Sequence, residues 1–238
     1  MDLQDVSEVG QYVQMLERQK QHLKMCASYK GTQPPYKKPR STIINGFLSS
    51  LRARTENYDT MPHHMLSTFI SDTYLPSAIP SKSLRRISIR DLRLETHHRG
   101  SYLLVRTVTP PSKMTGIMTV VEDEDHSVEF LQIYNLDEEQ DFRDIIPMNK
   151  ICLIKEPYYK MTADGGFALR VDHVSDLLFP NCLDNRIPLK WRDLKVKDWT
   201  AEDWRNKGNT AVRTGNFIEA RERYLQHSQV PCCDVCRF

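Results

Sequence analysis

A row of short apolar segments between residues 102 and 171 dominates the hydrophobic pattern of the chain. The segments cover residues 102–108, 116–121, 128–134, 151–155 and 167–171. Most are rich in β-branched or aromatic residues and are bounded by proline, glycine or acidic residues, as strands often are. The pattern therefore predicts five strands. Because the longest polar connection follows the third strand, this order is typical of an OB-like β barrel, and any small antiparallel sheet or sandwich is the alternative.

Apolar residues at heptad spacing predict an amphipathic helix at residues 1–29. They recur at intervals of three and four residues, at Val6, Val9, Val13, Leu16 and Leu23. Lys20 occupies the position where the stripe should continue, so the pattern is that of a short coiled coil with one charged core position. About three heptads of this kind are marginal for a stable dimer. We therefore expect the helix to pack on its own chain or to fray.

Residues 30–82 combine prolines with basic residues and predict a partly ordered linker. Within it, Lys37-Lys38-Pro39-Arg40 forms a basic cluster that could contact phosphate or direct the protein to the nucleus. A solvated linker is the simpler interpretation, because such clusters are common on protein surfaces. Apolar residues around Ile43 and Phe47 could begin a helix in this region.

Composition indicates one or two folded domains in 238 residues that are 39% hydrophobic and 27% charged, with a net charge of +2. The charge is uneven. Residues 17–54 hold nine Lys/Arg and one acid, whereas residues 101–148 hold ten acids and three Lys/Arg. Six cysteines without a leader-like segment favour a reducing compartment, so we expect an intracellular protein, cytoplasmic or nuclear, whose Cys26, Cys152 and Cys182 are ordinary thiols. No apolar run approaches the ~18 residues of a membrane span.

Catalytic motifs do not emerge from the sequence. It contains no Gly-x-Gly-x-x-Gly or Gly-Lys-Ser/Thr phosphate loop, no Gly-x-Ser-x-Gly elbow and no His-Glu-x-x-His zinc helix. The acidic run at residues 122–125 indicates a solvated hairpin tip, and the histidine pairs at 63–64 and 97–98 lack the spacing of metal ligands and indicate surface residues. We therefore predict no catalytic residue, no metal, no cofactor and no enzymatic activity.

The predicted barrel suits a protein partner better than a nucleic acid. Its second and third strands offer Phe130 and Tyr134 for stacking but no lysine or arginine, and the acidic tip would repel phosphates. A nucleic acid is therefore an improbable partner. A separate feature is Arg85-Arg86-Ile87-Ser88, a pattern that a basophilic kinase would accept, which makes Ser88 a candidate phosphosite. An ordinary sheet or helix edge is the alternative there.

The carboxy-terminal region predicts a pair of helices at residues 200–226. Thr200 and Asp203 have the spacing of a variant capping box at the start of the first helix. Large and small residues that could shape the packing of the pair are Trp204, Gly208, Ala211, Gly215, Phe217, Ala220 and Tyr224. This spacing resembles one tetratricopeptide repeat, with a generic helical hairpin as the alternative. Residues 181–199 form a connector, and residues 227–238 an irregular tail in which Cys233 and Cys236 supply half of a zinc pattern.

Several runs together resemble the front half of fungal proteins that join tetratricopeptide repeats to a SET domain. They are Lys155-Glu156-Pro157-Tyr158-Tyr159-Lys160, Val171-Asp172-His173 and Lys207-Gly208-Asn209. The resemblance implies longer relatives with further repeats and a SET lysine-methyltransferase module that uses S-adenosylmethionine and often binds zinc through cysteines. Neither an Asn-His-Ser-Cys-like run nor the pseudo-knot tyrosine of SET domains occurs in this sequence, so no catalytic residue can be assigned from the family.

The sequence thus predicts an α+β chain with a five-stranded OB-like barrel at residues 83–180, flanked by the amino-terminal helix and the tetratricopeptide-like hairpin. The predicted function is a non-catalytic protein-interaction module, truncated before a SET domain, that binds a protein through the hairpin or the barrel. The alternative is an OB-fold nucleic-acid-binding protein. The pattern does not indicate an oligomeric state.

Overall fold

A computed structural model describes residues 3–56, 73–113, 116–135, 141–162, 164–180, 184–192 and 200–229. The chain divides into two compact units, residues 1–178 and residues 179–238. The histidine pair at 63–64, Cys182, and the cysteines at 233 and 236 lie outside the described residues. So does most of the predicted tail.

Among the described residues, the first unit contains three α-helices and ten short strands. The helices are α1 (Leu3–Tyr29), α2 (Arg40–Glu56) and α3 (Phe142–Ile145). The strands are β1 (Arg85–Ile87), β2 (Thr96–His97), β3 (Ser101–Thr107), β4 (Ser112–Lys113), β5 (Ile117–Glu122), β6 (Val128–Ile133), β7 (Ile151–Lys155), β8 (Tyr158–Met161), β9 (Phe167–Val171) and β10 (Leu177–Leu178). None of the helices among the described residues is long and apolar enough to cross a membrane.

The ten strands form one mixed sheet. Its strand path runs β10-β7-β3-β5-β6-β9-β8-β2, with β1 added to β3 and β4 added to β5. The pairs β1–β3 and β6–β9 are parallel and the other pairs are antiparallel. In the β5–β6 hairpin, Val120 lies opposite Phe130, and β9 then pairs with β6 so that Leu169 lies opposite Leu131.

The predicted fold class, a five-stranded OB-like barrel with a flanking helix and a tetratricopeptide-like hairpin, is therefore wrong. Each of the five predicted segments does form a strand, but these strands are only half of a ten-stranded mixed sheet whose path ends at β10 and β2. The additional strands are two to four residues long. Segments this short have no hydrophobic period of their own, and contacts that are distant in sequence determine their pairing.

The core of the first unit lies along β3 and β9. Leu103, Leu104 and Val105 are fully buried, and all five residues of β9 are buried. Strands buried on both faces are expected to be continuously apolar, and this explains why these two were visible in the sequence. Leu92 and Leu94, in the segment before β2, are also fully buried and add to the same core.

The segment between α1 and α2 is attached to the sheet unit at both of its ends. At one end Gly31 N–H donates to the Leu94 carbonyl and Leu94 N–H donates to the Thr32 carbonyl, both at 2.8 Å. At the other end, Arg40 forms an ion pair with Glu122 at 2.8 Å. The region predicted as a linker therefore includes α2 and a strap, residues 33–39, that lies between two fixed points.

Helix α2 packs on the β5–β6 hairpin through one aromatic contact. Phe47 is buried, and its ring centroid lies 6.1 Å from that of Phe130 on β6. Tilted ring pairs at this distance are favourable beyond the apolar area that they bury. The contact fixes α2 beside the strand that carries the candidate site.

In the second unit, the described residues form two α-helices, α4 (Ala201–Arg213) and α5 (Phe217–Gln229). The predicted capping box is present, because Thr200 Oγ1 accepts from Asp203 N–H while the Asp203 carboxylate accepts from Thr200 N–H at 2.8 Å. Gly215, with φ 75°, adopts the left-handed conformation that ends α4 and begins the turn. The part of this unit that the structure describes contains one helix pair, whereas a repeat array needs stacked neighbours to bury its apolar faces.

Candidate functional site

A cavity of about 220 Å³ lies in the first unit beside the β5–β6 hairpin. Its lining comes from four places in the chain: residues 36–43, 89–90, 126–130 and 166–167. We call this cavity the glutamate pocket, because Glu129 is the buried acid in its lining. Its volume suits a side chain or a similarly small group, since sites for drug-sized ligands span about 300–1,000 Å³.

Glu129 enters the pocket because of its place on β6. Burial alternates along this strand, and Glu129 lies on the same buried face as Leu131 and Ile133. Its Oε1 accepts a hydrogen bond from Phe130 N–H at 3.0 Å, and its Oε2 accepts one from the Tyr159 hydroxyl at 2.5 Å. Two hydrogen bonds, one to each oxygen, therefore hold the carboxyl group in one orientation.

The environment of Glu129 favours its protonated form. Burial raises the pKa of this carboxyl group from an ordinary 4.5 to about 7, even though the hydrogen bonds from Tyr159 and Phe130 and the charge of Lys37 act in the opposite direction. Burial also raises the pKa of Tyr159, and its acidic partner adds to that effect. At neutral pH, Glu129 is therefore divided between its acid and carboxylate forms.

A second buried glutamate near the pocket has the opposite character. Glu122, at the end of β5, is fully buried, and burial alone would raise its pKa. Hydrogen bonds from Arg106 and Arg40, at 2.5 and 2.8 Å, outweigh that effect and lower the pKa. Glu122 is therefore a fixed charge that holds α2, while Glu129 can exchange a proton near neutral pH. Such a separation of two acids is typical of sites with acid–base chemistry.

Aromatic rings form a continuous wall beside the acid. The Tyr159 ring lies 6.3 Å from Phe167, and Phe167 lies 5.6 Å from Tyr36, measured between centroids. Tyr159 is 1% exposed, whereas Tyr36 is 53% exposed, so the wall leads from the interior to the solvent. A side chain with an apolar stem could enter along this wall against the rings.

Basic groups surround the opening of the pocket. Lys37, Lys38 and Arg90 are exposed members of the lining, and Arg90 Nε donates to Ser127 Oγ at 3.1 Å. The basic cluster predicted within the linker thus lies at a pocket. The arrangement can admit a small group, screen it from water and accept a proton from it.

Ser88 lies in a local cap instead of in the glutamate pocket. Its hydroxyl accepts from Arg90 N–H at 3.2 Å, and Asp91 Oδ2 accepts from Ser88 N–H at 2.8 Å. Together they form a capping box on the 3₁₀ turn Ile89–Asp91. The side chain is half-buried, and whether a kinase modifies it stays a prediction.

The residues predicted to shape the helix pair lie on α4, on α5 and in the turn between them, and most of them are buried. Trp204, Gly208, Ala211 and Ala220 are buried, and a Cβ added to Gly208 would lie 2.7 Å from the Tyr224 ring. Tyr224 donates a hydrogen bond to Asn209 at 2.6 Å. Gly215 forms the turn described above, and Phe217 is 69% exposed.

Sequence analysis missed Glu129 and misjudged two other groups. The signal was present, because an acid that alternates with Leu131 and Ile133 in a strand must lie on their buried face. The acidic run is not a solvated tip throughout, since Glu122 is 0% and Asp123 is 3% exposed. His97 is half-buried against Tyr74, and burial, helped by nearby Arg99, lowers its pKa to about 4.

The first unit is thus a mixed sheet with a buried acid in a small aromatic pocket. Comparison with known proteins identifies a relative. The chain is 32% identical over 227 residues to a Gibberella zeae protein named methyltransferase. The match covers 94% of this chain and 29% of that protein, so this chain spans less than a third of the relative's length. The comparison therefore supports a relationship between this chain and a protein of the methyltransferase family. No protein-family model matches the chain.

A solved structure is also similar, but only weakly. It is named as an aspartyl-tRNA synthetase from Leishmania major Friedlin and shows 12% identity and a TM-score of 0.28. The similarity covers 69% of this chain and 36% of that one. A likeness at this level carries no argument about fold or function.

The methyltransferase relative corrects the functional predictions from sequence. It contradicts the interpretation as a non-catalytic protein-interaction module and the alternative of an OB-fold nucleic-acid-binding protein. It also contradicts the prediction that the chain is not an enzyme. Those predictions relied on missing local motifs, whereas the similarity extends over nearly the whole chain and depends on no single motif.

Proposed function

We propose that this chain takes part in methyl transfer as part of a methyltransferase, and that the glutamate pocket holds the methyl acceptor. The observation that carries the proposal is Glu129, a buried acid with a pKa of about 7 beside an aromatic wall. The relative named methyltransferase supports the type of reaction. The resemblance noted in the sequence makes a SET-type protein-lysine methyltransferase the finer part of this proposal.

Glu129 would act as the proton acceptor for the group that is methylated. A protonated amine has no free lone pair to attack the methyl carbon until it gives up a proton, and a hydroxyl becomes a stronger nucleophile as its proton moves to a base. A general base works best when its pKa lies near the operating pH, and Glu129 meets that condition. The hydrogen bond from Tyr159 would keep the carboxyl group oriented, and Phe167 and Tyr36 would screen the acceptor from water.

The glutamate pocket does not fit the methyl donor that a SET resemblance implies. A cavity of about 220 Å³ is small for S-adenosylmethionine, given that sites for ligands of that kind span about 300–1,000 Å³. The SET motifs are also absent from the sequence. We therefore derive no step through the donor, and the proposal assigns this chain the acceptor side of the reaction.

A chimera tests the proposal. The matching segment of the Gibberella zeae protein would be replaced by this chain, and tritiated methyl transfer from S-adenosylmethionine would be measured on an array of lysine-, arginine- and serine-bearing peptides. Glu129→Gln should reduce incorporation by about a hundredfold or more, as loss of a general base usually does. Asp125→Asn makes the same type of change on the exposed part of the hairpin tip and should leave incorporation within about twofold.

Two results would contradict the proposal. One is a Glu129→Gln chimera as active as its parent. The other is a folded chimera without activity, shown beside an active Gibberella zeae protein. Circular dichroism of every variant would establish that the loss of activity does not come from unfolding.

A further inference from the structure

Helix α1 exposes three apolar side chains of its heptad seam, Val13, Leu16 and Leu23, to solvent. Heptad positions 6, 9, 13, 16, 20 and 23 hold Val, Val, Val, Leu, Lys and Leu within the single helix Leu3–Tyr29. Val13, Leu16 and Leu23 are 47%, 44% and 47% exposed. By contrast, Cys26 near the carboxyl end of the helix is 8% exposed. The expectation that the seam packs on its own chain is therefore not met at these three positions.

Charge is separated along the same helix. Residues 3–17 hold three acids and no lysine or arginine, the acids being Asp5, Glu8 and Glu17. Residues 18–29 hold three basic residues and no acid, the basic residues being Arg18, Lys20 and Lys24. Two such helices attract each other when they run in opposite directions and repel each other when they run in the same direction.

We propose that a second copy of this chain covers the seam, with the two α1 helices antiparallel. All six seam positions then pair in one register: Val6 with Leu23, Val9 with Lys20, and Val13 with Leu16 of the other copy. Lys20 lies against the acidic half of the opposite helix. In a parallel pair, Lys20 would face Lys20 at the same level, which like charges disfavour.

The heptad pattern and the charge pattern support the same partner independently. Seam residues at heptad spacing fit another heptad helix, since each knob needs a hole formed by four residues of the facing helix. The reversal of charge near the middle of the helix makes α1 complementary to itself. A partner of another kind would need its own matching reversal, whereas a second copy supplies it without any further requirement.

Sedimentation equilibrium of the 238-residue chain tests the pairing. We expect a monomer–dimer equilibrium in which Leu16→Glu raises the dissociation constant by at least about tenfold, equivalent to about 1.4 kcal/mol. Gln14→Glu introduces the same residue off the seam and should change it by less than about twofold. Leu16→Ala, which keeps a strong helix former, should weaken the dimer as well.

Lys20→Glu separates the two orientations. In the antiparallel pair the new glutamate faces the acidic half of the other copy, so the dissociation constant should rise by at least about tenfold. In a parallel pair, a contact between two glutamates would replace the contact between two lysines, and the dissociation constant should change little. A monomeric chain at every concentration, or a dimer that Leu16→Glu leaves unchanged, would overturn the proposal. An unchanged constant for Lys20→Glu would overturn the antiparallel arrangement.

Discussion

Glu129→Gln should change how the stability of the first unit depends on pH. In the folded protein the carboxyl group binds its proton more tightly than in the unfolded chain, because its pKa rises from 4.5 to about 7. Its contribution to stability is therefore fully present below pH 4.5 and is lost as the pH rises through about 7. Glutamine cannot ionise, so the variant lacks this loss.

The magnitude follows from the two pKa values. The difference between 4.5 and about 7 corresponds to about 3 kcal/mol of free energy of unfolding. Glutamine can keep both hydrogen bonds, accepting from Phe130 N–H and donating to the Tyr159 oxygen. Any change in the free energy of unfolding that the glutamine itself causes should therefore stay constant with pH. As the pH rises from 4.5 to 8, we expect the free energy of unfolding of the variant to increase by about 3 kcal/mol relative to that of the wild type.

Urea denaturation followed by far-ultraviolet circular dichroism would measure this gain at several pH values. Tryptophan fluorescence would not serve, since residues 191, 199 and 204 all lie in the second unit. Comparing wild type and variant at each pH removes the contributions of other groups, such as His97, which destabilises the fold as it gains a proton. Carbon-13 shifts of the Glu129 carboxyl group would give its pKa directly.

Parallel stability curves for wild type and Glu129→Gln would refute the reasoning. A Glu129 carboxyl group that titrates near pH 4.5 would also refute it, because such a group would be hydrated and not buried. Asp125→Asn is the matched control, and the difference between it and the wild type should stay nearly flat over the same range.

Three further predictions concern packing, charge and modification. Gly208→Ala should destabilise the second unit by about 1–3 kcal/mol in thermal melts, because the new methyl group meets the Tyr224 ring, whereas Gly46→Ala in open space on α2 should stabilise its helix. Glu122→Gln should cost about 2 kcal/mol at pH 7 in urea denaturation, and the cost should shrink as acid protonates the wild-type carboxylate. Phosphorylation of Ser88, detected by mass spectrometry, should speed amide exchange at residues 89–91, since the phosphate would repel its acidic capping partner.

The sequence revealed the strands that carry a strong apolar pattern and missed what depends on distant pairing. β3 and β9 are buried along nearly their whole length and were predictable from composition alone. The hydrogen bond between Tyr159 and Glu129 was not predictable. It joins residues 30 apart and exists because β9 lies between β6 and β8 in the sheet. The alternation of Glu129 with Leu131 and Ile133 did signal that its side chain is buried, whereas the Tyr159 partner that holds its carboxyl group could not be read from the local pattern.

Prediction was more successful where the physics is local. The capping box at Thr200 joins groups three residues apart, so sequence spacing alone could identify it. Helix α2 was only partly visible, because Phe47 is its one fully buried apolar anchor among the side chains described there. The α1 seam, exposed at Val13, Leu16 and Leu23, has a clear period in the sequence, but a period does not reveal whether the chain itself supplies the covering surface.

The strap at residues 33–39, fixed by the Gly31–Leu94 bonds at one end and the Arg40–Glu122 pair at the other, has a consequence for handling the protein. Trypsin can cut after the exposed Lys37, and each new end would remain attached to the sheet unit by its own anchor. The nicked protein should therefore migrate as one species until denatured. The chain could also be expressed as two fragments that end and begin at this position and reassemble. Their junction would lie in the part of the strap that lines the glutamate pocket.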